Sequence, residues 1–565
     1  MKKIKRKFKF KKLIFLLIII LIIGVAVFSF FKISKKLVIK TNNGYVTSNI
    51  NEVVVYDEEF KASGKLIRGL NISFKDKIIK DEKEIEYYKI NSKEGMYIKK
   101  EDIVLKKADI LKEKKVYVRT GMNLLSSDVN GKLLMLANKG EELEVIGYSN
   151  ILSTGFVDYY KVKLGKIEGF IKSDYVVLDK ETSLLNYEPE KYYNVHNARG
   201  DRYGGGNAGN LDYYPVIKPK FPNNVMPDNV YSLYINAAAI RNVDPYIEYA
   251  KTTKINAFVV DIKDTGTSAY DSTVMRKYSP TNADKGLNKF EDYKASIKKI
   301  KDAGFYVIGR ISTFNDPYYT TDHPENTIGD TRTNKPLYMG RTYWPSAYNR
   351  DVWEFNVELA KEAVKEIGFN EIQFDYVRFP DRTGALEAAG VIDFKNIYKE
   401  DKAQAIQRFL IYAKDEIHKL NAYVSADVFG ECAHTYVAAY GQYWPAISNV
   451  VDVISAMPYP DHFNAHDYGI SEVVWTVPYK LLLTWGRDYA AIRQTEIPTP
   501  ATARTWIQTY DTIKPPYIEY DASKVSDQIK ALYEAGLNGG YMTWNSNSNL
   551  NKYKSQKSAY NKEYR

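Results

Sequence analysis

The chain has 565 residues, 45% apolar and 26% charged, which is the composition of a folded protein with several domains rather than one core. Its net charge of +11 does not point to nucleic acid: residues 1–40 hold twelve Lys or Arg and no acid, so the other 525 residues are net −1 and lack a general pull on phosphate backbones. The single cysteine, Cys432, excludes an intramolecular disulfide framework and reads as a small buried residue, with only His434 near it.

The N-terminus explains the basicity. Eight Lys or Arg precede Leu13, and Leu13 to Phe31 is a run of nineteen uncharged residues. That length spans a hydrocarbon core as a helix, is long for a signal-peptide core, and is followed by no clear small-residue cleavage site. The upstream charges outnumber Lys32, Lys35, Lys36 and Lys40 downstream, so the expectation is a single-pass anchor with the N-terminus cytoplasmic and the bulk outside the cell. Residues 1–36 form this tail and anchor.

Residues 37–182 read as short strands with frequent turns, and they repeat. EYYKINSKEGMYIKKEDIVLKK (Glu86–Lys107) matches DYYKVKLGKIEGFIKSDYVVLDK (Asp158–Lys180), with Tyr87, Tyr88 and Lys89 aligned to Tyr159, Tyr160 and Lys161. Two copies of one small β-barrel unit, 37–108 and 109–182, are the economical explanation. The second copy, with VYVRTGMNLLSSDVNGKLLMLANKGEELEVIG (Val116–Gly147) and then YYKVKLGKIEGFIKSDYV, resembles bacterial SH3-like domains. The resemblance implies binding to cell-wall glycan or peptide stems; the plain alternative is a spacer. Residues 183–228 are rich in Gly, Asn and Pro and read as a linker; GDRYGGGNAGN lacks the Gly-Lys-Ser/Thr ending of a phosphate loop.

From residue 229 to 552, strand-like and helix-like runs alternate. The strands expected are 231–236, 257–263, 305–312, 371–378, 422–429, 451–459, 505–510 and 539–544, with helices at Phe290–Ala303, Val352–Ile367, Lys402–Leu420 and Ser526–Ala535. Eight such alternations predict a (β/α)8 barrel, so the whole is an α/β chain: a C-terminal TIM barrel behind a transmembrane helix and two small all-β units. Residues 553–565 read as a polar tail. Within the strands, Asp261 and Lys263 oppose Phe258, Val260 and Ile262; Arg310, Gln373, Asp375 and Asp427 likewise interrupt apolar faces near the strand ends. In a parallel barrel those ends carry the chemistry.

VVDIKDTGTSAYDS, GRISTFNDP, NEIQFDYVRFPD, SADVFG, ISAMPYPDHF and RTWIQTYD together resemble an uncharacterised glycoside hydrolase family with a TIM barrel, over roughly residues 229–550. Glycoside cleavage needs two carboxyls flanking the scissile bond. Asp375, ending the fourth strand, is expected as nucleophile or base, with Arg378 holding opposite charge near it. Asp427 is expected as the acid, and Glu431 is its rival on the following loop. Asp261, Asp264 and Asp316 are expected to hydrogen-bond substrate hydroxyls, with Lys263 and Arg310 nearby. Gln373, Arg378 and Gln508 are further expected substrate-binding residues, and Tyr459, Trp544 and Asn545 are expected to line subsites by stacking and hydrogen bonding. No cofactor is expected, and the partners are a polysaccharide or peptidoglycan-type substrate, the cell wall and the membrane. Two alternatives stay open. His462 and His466, beside Asp461 and Asp467, have a spacing that suits a metal-dependent deacetylase, and a non-catalytic glycan-binding barrel would carry the same strand-end residues.

Overall fold

The computed structural model describes residues 17–23, 25, 40–91, 95–188, 190, 204–265 and 267–564. The chain divides into two compact units, residues 1–119 with 123–183 and residues 120–122 with 184–565. The expected membrane anchor over 13–31 lies mostly outside the described residues. Leu17–Ile23 is helical and exposed, and among the described residues no helix is long and apolar enough to cross a membrane.

The N-terminal unit contains two seven-stranded sheets, one within residues 41–104 and one within 115–177. Counted within its own sheet, each has the strand order 3-2-6-5-4-1-7, with antiparallel neighbours. The repeat seen in the second half of each copy therefore extends through the first half of each, where strand order persists without matching side chains. Tyr87–Tyr88 and Tyr159–Tyr160 occupy equivalent fifth strands. Val46, Val53, Val55, Ile72, Ile90 and Ile98 fill the first core. Arg68 reaches from the first copy to Glu113 at 2.9 Å, and the Tyr160 hydroxyl of the second copy donates to the same carboxylate oxygen at 2.8 Å.

The second unit is a parallel barrel of eight strands. They are β1 (Val230–Ile235), β2 (Ala257–Asp264), β3 (Tyr306–Ser312), β4 (Glu371–Asp375), β5 (Tyr423–Phe429), β6 (Val453–Met457), β7 (Thr502–Ala503 with Thr505–Gln508) and β8 (Gly540–Trp544). Each pairs in parallel with the next, and β8 pairs with β1. β7 is split at Arg504: its first half pairs with β6 and its second with β8, while the Arg504 N–H donates to Ile454 O at 3.0 Å. Helices α1 (Asp244–Ala250), α2 (Phe290–Asp302), α3 (Arg350–Glu362), α4 (Lys402–His418), α5 (Trp444–Ser448), α6 (Pro478–Trp485) and α7 (Ala522–Glu534) follow strands β1 to β7 in turn.

Side-chain alternation sorts the strand residues. Ala257, Val259, Tyr306, Ile308, Tyr423, Trp506 and Met542 share one core inside the barrel, whereas Phe258, Val260 and Ile262 are buried on the other face of β2. On β4 the interior positions are Glu371, Gln373 and Asp375, a polar column rather than an apolar one. At its base Glu371 meets Arg504 at 2.9 and 3.1 Å, both fully buried, and Tyr306 donates to Glu371 at 3.1 Å.

Three differences from the sequence reading change how a segment is placed. β4 ends at Asp375, not Arg378, because Tyr376 takes a left-handed backbone with φ +49°. Residues 204–228 do not form a free linker: Ala208, Leu211 and Tyr213 pack with Ala403, Val437 and Tyr443, and Phe221 with Met226 joins the barrel core. Residues 553–564 do not form a polar tail, since Tyr553 and Tyr560 are buried and the Tyr553 hydroxyl donates to Tyr234 O at 3.0 Å.

All seven tryptophans lie between Trp344 and Trp544, so tryptophan fluorescence reports on the barrel unit alone. Arg504→Ala strands Glu371 as an uncompensated buried charge and is expected to cost about 3–5 kcal/mol in urea unfolding followed by that signal. The double change Arg504→Met with Glu371→Leu recovers most of the loss, because it removes both charges together.

Candidate active site

The C-terminal ends of β2, β3, β4 and β5 bring charged side chains into one cluster. Arg310, on β3, is buried and at its centre. Its Nη1 donates to Asp261 Oδ1 at 2.7 Å and to Asp264 Oδ1 at 3.0 Å; Nε and Nη2 both donate to Asp375 Oδ2, at 3.0 and 2.6 Å. Asp375 Oδ1 accepts the Tyr376 N–H at 2.6 Å. That bond depends on the left-handed turn at Tyr376, a conformation that costs a non-glycine residue about 1–3 kcal/mol and persists only where the surroundings enforce it.

Three carboxyls share one guanidinium, so they are not equivalent. Asp261 is fully enclosed, and burial pushes its carboxyl up to about 7 despite the Arg310 charge, with Asp264 adding to the shift. Asp264 keeps a third of its side chain in solvent. The Tyr234 hydroxyl donates to Asp261 Oδ2, which adds a partner that the sequence reading missed.

Asp427, at the end of β5, has a different environment. Its Oδ1 accepts the Trp506 indole N–H at 2.8 Å, and its Oδ2 is buried with no hydrogen-bond partner. Burial and then repulsion from Asp375 hold this carboxyl well above the usual range. Gln442 secures the strand tip by donating to Asp427 O at 3.1 Å and accepting the Phe429 N–H at 2.9 Å. Trp544 lies over Arg310, with the guanidinium 5.3 Å from its ring, and packs with Tyr234, Trp506 and Tyr459 at 4.6, 5.6 and 6.4 Å.

Residues 229–550 match the family model described as "Putative glycosyl hydrolase domain" (DUF4015). The chain belongs to that family. No curated protein sequence matches it. Among solved structures, it is similar to a hypothetical protein from Ruminiclostridium thermocellum, at 33% identity over 35% of this chain and 97% of that one, with a TM-score of 0.30. A class V chitinase from Pseudomonas fluorescens matches at 14% identity over 58% and 99% of the two chains, TM-score 0.36. A chitobiase from Flavobacterium johnsoniae matches at 11% over 56% of this chain and 44% of its own, TM-score 0.37.

Within this family member, the residues expected at the site divide into three groups. Asp261, Asp264, Arg310, Asp375, Asp427, Tyr459 and Trp544 converge as described. Gln373 lies one layer deeper, its amide 3.4 Å from Ser455 Oγ and 3.3 Å from Met542 Sδ, with Oε1 buried and unpartnered. Asn545 follows Trp544 and is buried, with no side-chain hydrogen bond among the described residues.

The others are turned elsewhere. The pairing of β2 with β3 shifts between Asp261 and Lys263, and this bulge moves Lys263 to the outer face beside Ile311 and Phe355. There it pairs with Asp316 at 2.7 Å, itself held by Asn282, so neither side chain joins the cluster. Gln508 accepts the Asp461 N–H at 3.2 Å and donates to Tyr510 O at 3.2 Å, a loop-bracing role. The Arg378 guanidinium pairs with Asp381 at 3.5 Å and not with Asp375, because β4 turns away after Asp375; Arg310 holds the position expected of Arg378. Glu431 accepts from Tyr436 at 2.9 Å and Tyr440 at 3.1 Å, one on each carboxylate oxygen.

The helical spacing of His462 and His466 is not realised. His462 ends a 3-10 turn at Pro460–His462 and lies 3.9 Å from Asp461, while His466 Nδ1 contacts Ile470 O at 3.3 Å. Among the described residues no three His, Cys, Asp or Glu side chains form a group able to hold a metal.

The Asp261 shift makes stability pH-dependent. Its folded-state affinity for a proton exceeds the unfolded one, so the associated stability is fully present below about 4 and is lost as pH rises towards about 7. Asp261→Asn is expected to flatten the fall in barrel stability over this window by up to about 1.4 kcal/mol per pH unit. Thermal unfolding followed by tryptophan fluorescence across the window checks this; an unchanged slope contradicts it.

Proposed function

We propose that this protein is a membrane-anchored extracellular glycoside hydrolase that cleaves a cell-wall or surface polysaccharide by paired-carboxyl catalysis. The observation that carries the reading is the contrast between two neighbouring strand-end carboxyls. Asp375 lies against a guanidinium and accepts three N–H donors. Asp427 is held above the usual carboxylate range by burial and by repulsion from Asp375, and keeps one oxygen without a partner. Surroundings that differ in this way suit Asp427 to donate a proton and Asp375, gripped by a cation and N–H donors, to serve as nucleophile or base.

In this mechanism Asp427 protonates the leaving glycosidic oxygen. Asp375, oriented by Arg310 and by the Tyr376 N–H, attacks the anomeric carbon directly or activates water towards it. Trp544, which is partly exposed, offers an aromatic face for a sugar ring, with the buried Tyr459 packed behind it, and Asn545 offers a hydrogen-bonding group. Glu431 is less suited to be the acid because both of its oxygens are engaged by tyrosine hydroxyls. The family description supports the reaction class. The basic, then apolar, N-terminal sequence supports the anchor, and the SH3-like resemblance supports a wall-binding role for the N-terminal unit.

A panel of wall and capsular polymers tests the reading. Wild type is expected to release reducing ends from at least one polymer, and Asp375→Asn to bind that polymer without cleaving it. Asp427→Asn is expected to lose about 10²–10⁴-fold in rate, with a smaller loss on substrates whose activated leaving group needs no proton. Because the donor works only when protonated, the wild-type rate falls as pH rises through the raised Asp427 titration. Binding without cleavage by both wild type and Asp375→Asn identifies a glycan-binding barrel instead, and loss of activity on chelation identifies a metal-dependent enzyme.

A further inference from the structure

Six arginines among the described residues are buried, and five of them donate hydrogen bonds to at least one carboxylate, as Arg504 does to Glu371. Arg378 is the exception. It donates a single hydrogen bond, from Nη1 to Phe379 O at 3.0 Å, and the carboxylate paired with it, on the half-exposed Asp381, is 3.5 Å away. Nε and Nη2 donate to no group among the described residues. That edge of a guanidinium is the one that grips an oxyanion with two parallel hydrogen bonds.

Aromatic rings hold the side chain in place. The guanidinium carbon is 4.4 Å from the Phe429 ring, 5.0 Å from Trp344, 5.2 Å from Tyr376 and 5.9 Å from Tyr440. Such contacts offset desolvation without using any N–H donor. The position matters as much as the chemistry. Although Arg378 does not touch Asp375, Tyr376 directly follows Asp375 and Phe429 stands two residues beyond Asp427, so its guanidinium packs against residues at the tips of both strands that carry the carboxyls. The other buried cations of this region are already matched, Arg310 by three carboxyls and Lys263 by Asp316.

We propose that Arg378 anchors an oxyanion substituent of the glycan, a carboxylate or a phosphate ester, next to Asp375 and Asp427. The inference rests on the glycan-cleaving role proposed for those carboxyls and narrows its substrate class to acidic polysaccharides. A charged substituent needs such an anchor here, since the mouth otherwise presents aspartates that repel it.

The test uses the full chain with Asp375→Asn, so that binding is read without turnover. The probes are a uronic-acid polymer with its carboxyl-reduced neutral counterpart, and a phosphate-bearing polymer with its dephosphorylated counterpart. Asp375→Asn is expected to bind one acidic member about tenfold or more tightly than its neutral partner, the difference that hydrogen bonds to a charged group supply. Adding Arg378→Gln abolishes that preference and leaves neutral binding unchanged, while Arg378→Lys keeps the charge, loses the fork and falls between. The pair that shows the preference tells carboxylate from phosphate. Equal binding within both pairs, no binding to any, or a preference that survives Arg378→Gln overturns the proposal. If Arg378→Gln does not fold, competition by glucuronate and inorganic phosphate against glucose, on Asp375→Asn alone, reads the same charge preference. Charge preference without cleavage by wild type removes only the hydrolase reading, whereas cleavage without charge preference removes only this inference.

Discussion

Arg310 is the constraint around which the barrel mouth is arranged. A guanidinium removed from water must be matched by carboxylates with good hydrogen-bond geometry, and Arg310 meets that demand with residues from β2, the end of β2 and β4. The demand acts in both directions. Asp375 obtains its orientation from the two N–H groups that Arg310 directs at one oxygen, and the left-handed turn at Tyr376 supplies the donor for the other. One positive charge cannot balance three acids. The imbalance falls on Asp261, which is the most enclosed and has Tyr234 as a further donor.

The interior of β4 extends this logic down the barrel. Glu371, Gln373 and Asp375 form successive polar layers with different surroundings: a fully buried ion pair with Arg504, weak amide contacts that leave one oxygen unpartnered, and the Arg310 fork. Arg504 stands where β7 is split between its two neighbours, so the residue that pairs the lowest layer also lies where the sheet closes. Asp427, one strand over, is excluded from these charge pairs and has only the Trp506 indole. Its difference from Asp375 follows from which neighbours lack a cation to share.

Much of the barrel was legible in the sequence. The eight strands and the four longest helices emerge near their expected places because their apolar periodicity reflects burial on one face or both, which is local information. The layout of the N-terminal repeat was legible only where aromatic residues recur; its first half shows in strand order alone. Residues 204–228 and 553–564 were misread as polar connections because isolated aromatics such as Tyr213, Phe221 and Tyr560 do not reveal the surface they will cover.

By itself, the sequence determined the strand count, the confinement of basic charge to the N-terminus and the polar residues at strand ends. The tertiary structure decided their partners. Strand alternation predicts a face only while the register is regular, and the bulge after Asp261 sent Lys263 outward. Proximity in sequence made Arg378 look like the partner of Asp375, but parallel strands place Arg310, 65 residues earlier, directly alongside it. The backbone turn at Tyr376 then sent Arg378 into a box of aromatic rings. Pairing across adjacent strands depends on register and backbone sign, and a single sequence contains neither.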